Sequence, residues 1–386
     1  MDKAKDVLKK YTMVLVLILV TALFTWQTDG KMLLPANVNN LIAQNAYVFV
    51  LATGMLLCIL TGGNIDLSVG SVVCFVGAIG GSLMVNGKMN IYLAMLIMII
   101  AGILIGAWQG FWIAYVRIPP FITTLAGMLV FRGLSNVILN GLTLAPMPDN
   151  YLALFNTYVP DFLGNSETFN LTCMVAGIVA CILFIALEIK NRIAKINKGY
   201  EVEPVLNVVA KNAIICIAVI AFTLKLSQHK GIPTVLIWVV VIILVYAYIT
   251  NKTTVGRYFY AVGGNEKATR LSGINTNQVY FIAYLNMSFL AAVAGMITIA
   301  RLNSANPTAG TNYELDAIGS CFIGGASAYG GIGTVPGVIV GAILMGVINL
   351  GMNIMGVDSN YQKVVKGLVL LAAVVFDVVS KKDAKQ

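Results

Sequence analysis

Three stretches hold the residues whose types and spacing could do chemistry in this chain. The first is TGGNIDLSVGS at 61–71, where Asn64, Asp66 and Ser68 follow two glycines inside an apolar run. A carboxylate driven to the centre of a bilayer costs roughly 2.5–3.5 kcal/mol, so it must face protein or a water-filled cavity. Two compatible readings stay open: the three residues line a discontinuous helix beside a translocation pathway, or Asp66 caps the helix that resumes at 67. The second stretch is GGASAYGGIGTVPG at 324–337, whose six glycines and one proline preclude a regular helix. Gly324, Gly325 and Ser327 would then belong to a second broken segment, giving one per half as at transporter midplanes, or else to a flexible cytoplasmic turn. The third is VGRYFYAVGGNEKATRLSGIN at 255–275, the longest polar and charged island in the second half. Gly256, Gly263, Gly264 and Gly273 bracket a run at 265–272 that can form about two helical turns, with Asn265 as N-cap and Glu266 in the favourable first turn. Joining two spans needs only a handful of residues, so the island reads as a docking surface for a cytoplasmic partner, against an ordinary loop.

The remaining candidates are weaker. Trp108, Phe111, Trp112 and Tyr115 form a helical aromatic stripe, suited to stacking on sugar rings or, more commonly, to an interfacial belt. Arg132 and Lys366 fall within apolar segments; Lys366, near a span start, is expected to snorkel. Few carboxylates beyond Asp66 and Asp377 lie within spans, which argues against a proton-coupled pump. The single histidine, His229, reads as a solvent-exposed loop residue, and the 6 cysteines as small apolar core residues without metal-ligand spacing. There is no G-x-x-x-x-G-K-[ST] phosphate loop, no H-E-x-x-H and no Ser–His–Asp set. The expectation is a chain with no catalytic residues and no metal site, unable to hydrolyse ATP itself.

The elements that must position these residues are membrane helices. Of 386 residues, 59% are hydrophobic and 11% charged, against about 25% charged in soluble domains. The mean hydropathy is +0.86. Apolar segments fall at 11–27, 39–60, 67–85, 91–116, 120–138, 171–189, 212–226, 233–249, 279–301, 315–329, 335–356 and 361–379. Most can cross a core of about 30 Å, while 212–226 and 315–329 are short enough to be tilted or re-entrant. The fold class is all-α, a polytopic helical membrane protein of about 10–12 transmembrane helices with glycine-broken segments. The apolar run after MDKAKDVLKK is taken as an uncleaved first span. With the N-terminus inside, seventeen of the 25 basic residues fall in inside loops and six outside, Arg132 and Lys366 lying within spans. That bias puts both termini and 255–275 in the cytoplasm. It also explains the net charge of +9 without nucleic acid. Glycines four apart (Gly102, Gly106 and Gly110; Gly77 and Gly81; Gly337 and Gly341) predict close helix packing.

Together with IPPFITTLAGMLVFRGLS at 118–135, the three stretches resemble the ribose/xylose/galactose class of bacterial ABC sugar importer permeases. The resemblance covers roughly 38–138 and 233–380; the chain length and an extra hairpin at 171–226 are similar to the multiple-monosaccharide permease. It implies a single transmembrane permease domain over 1–386 with a coupling loop at 255–275, while the charge count also puts the loop at 190–211 of the extra hairpin in the cytoplasm. It further implies a permease homodimer in the bacterial inner membrane, two copies of an ATP-binding subunit (or one tandem subunit) carrying ATP and Mg, and an extracytoplasmic sugar-binding protein. Glu266, Ala268, Arg270 and Gly273 match the family's coupling run, except that Thr269 replaces its second alanine; Gly256, Arg257, Gly263, Gly264 and Asn265 complete that loop. Asn64, Asp66, Ser68, Trp108, Trp112, Gly324, Gly325 and Ser327 are the expected pathway residues. The resemblance leaves two competitors: the same frame importing branched-chain amino acids or nucleosides, and a stand-alone secondary carrier.

Overall fold

The computed structural model describes residues 2–164, 168–200, 202 and 204–383. Lys385, counted among the inside charges, and positions 201 and 203 of the 190–211 loop lie outside the described residues. The elements in order are α1 (Asp2–Gln27), α2 (Pro35–Leu60), α3 (Val69–Gly81), α4 (Ile91–Ala114), α5 (Pro120–Leu139), α6 (Asp149–Phe155), α7 (Leu171–Asn197), α8 (Val205–Ser227), α9 (Thr234–Lys252), α10 (Thr254–Gly264), α11 (Glu266–Leu271), α12 (Thr276–Leu302), α13 (Tyr313–Ile323), α14 (Val335–Ile354) and α15 (Ser359–Asp383). A π-turn at Ser82–Asn86 prolongs α3. No β-strand occurs among the described residues, only two isolated bridges. Nine described helices are long and apolar enough to cross a membrane, so the chain is a multi-pass membrane protein.

Buried α2 and α12 form the axis. Helices α3 and α4 pack on α12, α13 and α14 on α2, and α1 and α15 cover α14 and α13. The four-residue glycine spacing on α4 is realised here: a Cβ at Gly102 would sit 2.6 Å from that of Ala292, and one at Gly106 2.6 Å from the Leu285 Cα. Absent side chains bring α4 and α12 backbone to backbone, where lipid supplies no hydrophobic drive.

Two expectations from the apolar segments change. The 212–226 segment is the core of α8, which starts earlier at Val205 and is a full-length span rather than a short or re-entrant one. The 315–329 segment holds only the 11-residue α13, about 16 Å long and half a crossing. The other half is irregular chain at 303–312, which runs into the bundle beside α3; Gly310 lies so close to Gly70 that a Cβ on it would be 2.3 Å from the Gly70 carbonyl oxygen. Helix α3 also begins inside the bundle, after the break at 61–68, so two interrupted helices meet by their N-terminal ends.

The α7–α8 hairpin lies at the periphery, where α8 touches α2. Its helices pack on each other, Cys173 and Gly177 against Thr223, and almost nothing of α8 is buried. Asp161 fastens its base: the carboxylate accepts from the Leu163, Gly164, Leu171 and Thr172 amides and from the Thr172 hydroxyl. Those bonds, led by the Thr172 hydroxyl, outweigh partial desolvation and hold its pKa well below the usual carboxylate range. His229, nearby, is half-buried edge-on to Tyr158 rather than solvent-exposed.

Candidate functional site

The three polar stretches that are far apart in sequence converge on one face. Helix α2 ends at Leu60 because Gly62 and Gly63 adopt positive φ, and the chain turns back. The Leu60 carbonyl then accepts from the Gly331 amide at 3.0 Å, while Tyr260 donates to the Gly333 carbonyl at 2.9 Å. The Ala328 amide donates to Asp377 at 3.0 Å, bringing in the end of α15. Approach is backbone to backbone: a Cβ on Gly263 would lie 1.8 Å from the Leu60 oxygen, and one on Gly63 1.9 Å from the Ala328 oxygen. The island at 255–275, the break at 61–68 and the loop at 324–334 therefore form one docked assembly.

Within it, the island is two helices rather than one. The expected cap is present: Asn265 accepts from the Ala268 amide at 3.0 Å, and Glu266 opens α11. Thr253 caps α10 by accepting from Gly256. Gly256 is inside α10, where a Cβ would be 2.1 Å from the Ile249 carbonyl oxygen. Thr269 is buried and donates to the Ala261 and Asn265 carbonyls, binding α11 onto α10. Glu266 faces the bundle. It accepts from Arg117 at 2.8 Å, Thr276 at 3.0 Å and the Tyr280 hydroxyl at 3.1 Å, and Arg117 also donates to Asn277. Partial burial raises its pKa, but the hydrogen bonds from Arg117, Thr276 and Tyr280 and the Arg117 charge prevail and leave it below the usual glutamate range. The outward surface is made by Arg257, Gly264, Asn265, Lys267, Ala268, Arg270, Ser272 and Gly273, with Leu271 at 88% exposure as an apolar knob. Beside it, a cleft of about 410 Å³ between α10 and α12 is lined by Tyr258, Gly273, Ile274 and Gln278.

The expected pathway residues divide. Asn64, Gly324, Gly325 and Ser327 lie in this docked face. Asp66 and Ser68 lie deeper and are fully buried. Asp66 Oδ1 accepts from the Ser68 amide at 2.8 Å and its hydroxyl at 2.6 Å, and Ser68 Oγ accepts from Gln109 at 2.7 Å, so the carboxylate braces the start of α3 against α4. Its Oδ2 meets no hydrogen-bond donor among the described residues. Trp108 is exposed and lies edge-on to Phe131, and half-buried Trp112 lies edge-on to Phe111.

Several participants escape sequence reading. Arg117 counted only as an inside charge, and Leu271 only as one apolar residue among polar ones. Lys366 does not snorkel: its Nζ lies 2.9 Å from Asp316 Oδ1, tying α15 to α13, and Asp316 and Glu314 add carboxylates within the bundle. Arg132 donates to the Pro307 and Ala309 carbonyls of the irregular half-crossing. The legible signal was polarity in an apolar run, at Gln109 and Asp316 alike.

A polytopic bundle with interrupted helices and irregular chain packed inside is an arrangement that membrane transporters use. The chain belongs to the family described as branched-chain amino acid transport system / permease component, matched over residues 37–374. It is 35% identical to the xylose transport system permease protein XylH of Escherichia coli K12, over 97% of this chain and 93% of that one. XylH of Haemophilus influenzae is 35% identical over 99% and 100%, and the ribose import permease protein RbsC of E. coli K12 36% identical over 88% and 85%. No solved structure matches. The protein is a transport subunit.

Proposed function

We propose that this chain is the membrane-spanning subunit of an ATP-binding-cassette importer for monosaccharides of the xylose, glucose, galactose or arabinose type. The observation that carries the substrate class is the end-to-end similarity to XylH, whose name specifies a pentose. In this reading two permease copies pair in the bacterial inner membrane. An extracytoplasmic binding protein delivers the sugar on one face and ATPase subunits dock on the other, where they alone hold ATP and Mg. The docking surface is α10–α11, with Leu271 seated in an apolar recess of the ATPase and Arg257, Lys267 and Arg270 around it. Glu266 serves that surface from behind, through Arg117 and the start of α12. Movement of α11 would be passed through Thr269 and Gly263 to the end of α2 and the 324–334 loop, and so to both interrupted helices. Cytoplasmic termini are supported by the charge bias and by Asp377, near the end of α15, bonding at the docked face.

The test is uptake of labelled xylose, ribose, glucose, leucine and adenosine by proteoliposomes carrying the permease, its ATPase and binding protein. ATP-dependent accumulation of a monosaccharide is expected. Accumulation of leucine alone would favour the substrate in the family's description, adenosine alone a nucleoside importer, and uptake without the ATPase a secondary carrier.

A further inference from the structure

On the face opposite the coupling loop, α2 and α12 border a half-open cavity of about 450 Å³, within the range of small-ligand sites. Its lining includes Gln44, Tyr47, Thr298, Arg301 and Tyr313. We propose that this cavity is a transient binding site for a single sugar ring inside the permease, a deepening that rests on the importer reading above.

Three observations carry it. The Tyr47 and Tyr313 rings stack face to face at 3.5 Å with 11° between their planes, so each covers one face of the other and the pair forms a rigid aromatic wall of the cavity. That wall is held from behind: the Tyr47 hydroxyl donates to Asp316 Oδ2 at 2.6 Å, and Lys366 grips the same carboxylate. The buried ion pair thus has a positioning role, fixing the ring that lines the cavity. Third, neither the half-buried Arg301 guanidinium nor the half-buried Gln44 side-chain amide meets a hydrogen-bond or ion-pair partner among the described residues. A guanidinium with five donors and an amide with donor and acceptor, both aimed at one cavity in a membrane helix bundle, call for a partner rich in hydroxyl and ether oxygens.

The experiment is thiol labelling of Gln44→Cys and, separately, Ala43→Cys, both partly exposed lining positions, in the full permease–ATPase complex without binding protein, using a membrane-impermeant maleimide. Both sites should label from the face opposite Leu271, and millimolar D-xylose or D-ribose should slow labelling severalfold while L-leucine does not. Failure of both to label from that face, or labelling indifferent to sugar while the wild type still imports one, overturns the site and leaves the importer reading standing. Slowing by leucine alone overturns the sugar class for site and importer together. In transport, Arg301→Gln should raise the half-saturating sugar concentration about tenfold, as expected for losing a charge-assisted hydrogen bond. An unchanged value overturns the assignment of Arg301.

Discussion

Lys366 and Asp316 show what a charge means inside this bundle. Each alone would be expensive in hydrocarbon, and together they are neutral and buried. Lys366→Met should therefore cost about 3–5 kcal/mol by stranding Asp316, whereas Lys366→Met with Asp316→Asn, which keeps an acceptor for Tyr47, should recover most of it. Thermal unfolding of the two purified variants in one detergent checks this; equal losses would mean that the pair is incidental. Glu266 is the second charged residue with inward duty. Its folded-state pKa is depressed, so its contribution is fully present above the ordinary glutamate value of about 4.3 and is lost only as pH falls through the lower folded value. Hydrogen exchange of 265–275, corrected for intrinsic rates, should keep its protection down to the ordinary glutamate range and weaken only below it. Loosening that begins near neutral pH would contradict the Arg117–Glu266 tie.

The glycines around the coupling loop separate into elements that pack and elements that merely turn. Gly263 abuts the Leu60 oxygen and the Gly331 amide, both backbone, so a methyl there cannot be accommodated by a side chain moving aside. Gly264, one residue on, has open space around it. Gly263→Ala should therefore abolish or strongly reduce uptake, and Gly264→Ala should leave it within about twofold, because an exposed helix-end alanine costs nothing sterically. Comparing the two in vesicles with matched permease content decides the matter, and equal activities would dissociate the α10–α2 contact from transport. The same contrast explains what was legible. The Asn265 cap and the first turn of α11 follow local rules, so they are readable from NEKATR alone. Helix α10 is not, since Gly256 and Gly263 lower helix propensity and their reason is tertiary, the close approach of Ile249 and Leu60. The half-crossing at 303–312 has no periodicity to detect; only Pro307, Gly310 and the left-handed Asn303 and Asn312 announce it, as breakers rather than as a path.

For the whole molecule, all-α membrane architecture follows from hydropathy. The convergence of 61–68, 255–275 and 324–334 does not, because backbone bonds such as Gly331 to Leu60 leave no residue-type signature. The outer cavity is hidden for a related reason: Gln44, Arg301 and Tyr313 belong to different segments, and one tyrosine in an apolar run is unremarked. Convergence makes orientation testable at a single residue. If the docked face is cytoplasmic, the charge bias and the accessibility of Leu271 must agree, since Leu271 is the most exposed large apolar residue of that face. Five of the six native cysteines are buried, which keeps the labelling background low. Leu271→Cys should react with an impermeant maleimide in inside-out vesicles and resist it in right-side-out ones, and the ATPase subunit should protect it severalfold. Labelling from outside would invert the topology and remove the docking surface. Inside labelling without protection would keep the topology and move the ATPase contact elsewhere, to the cleft between α10 and α12 or to the 324–334 loop.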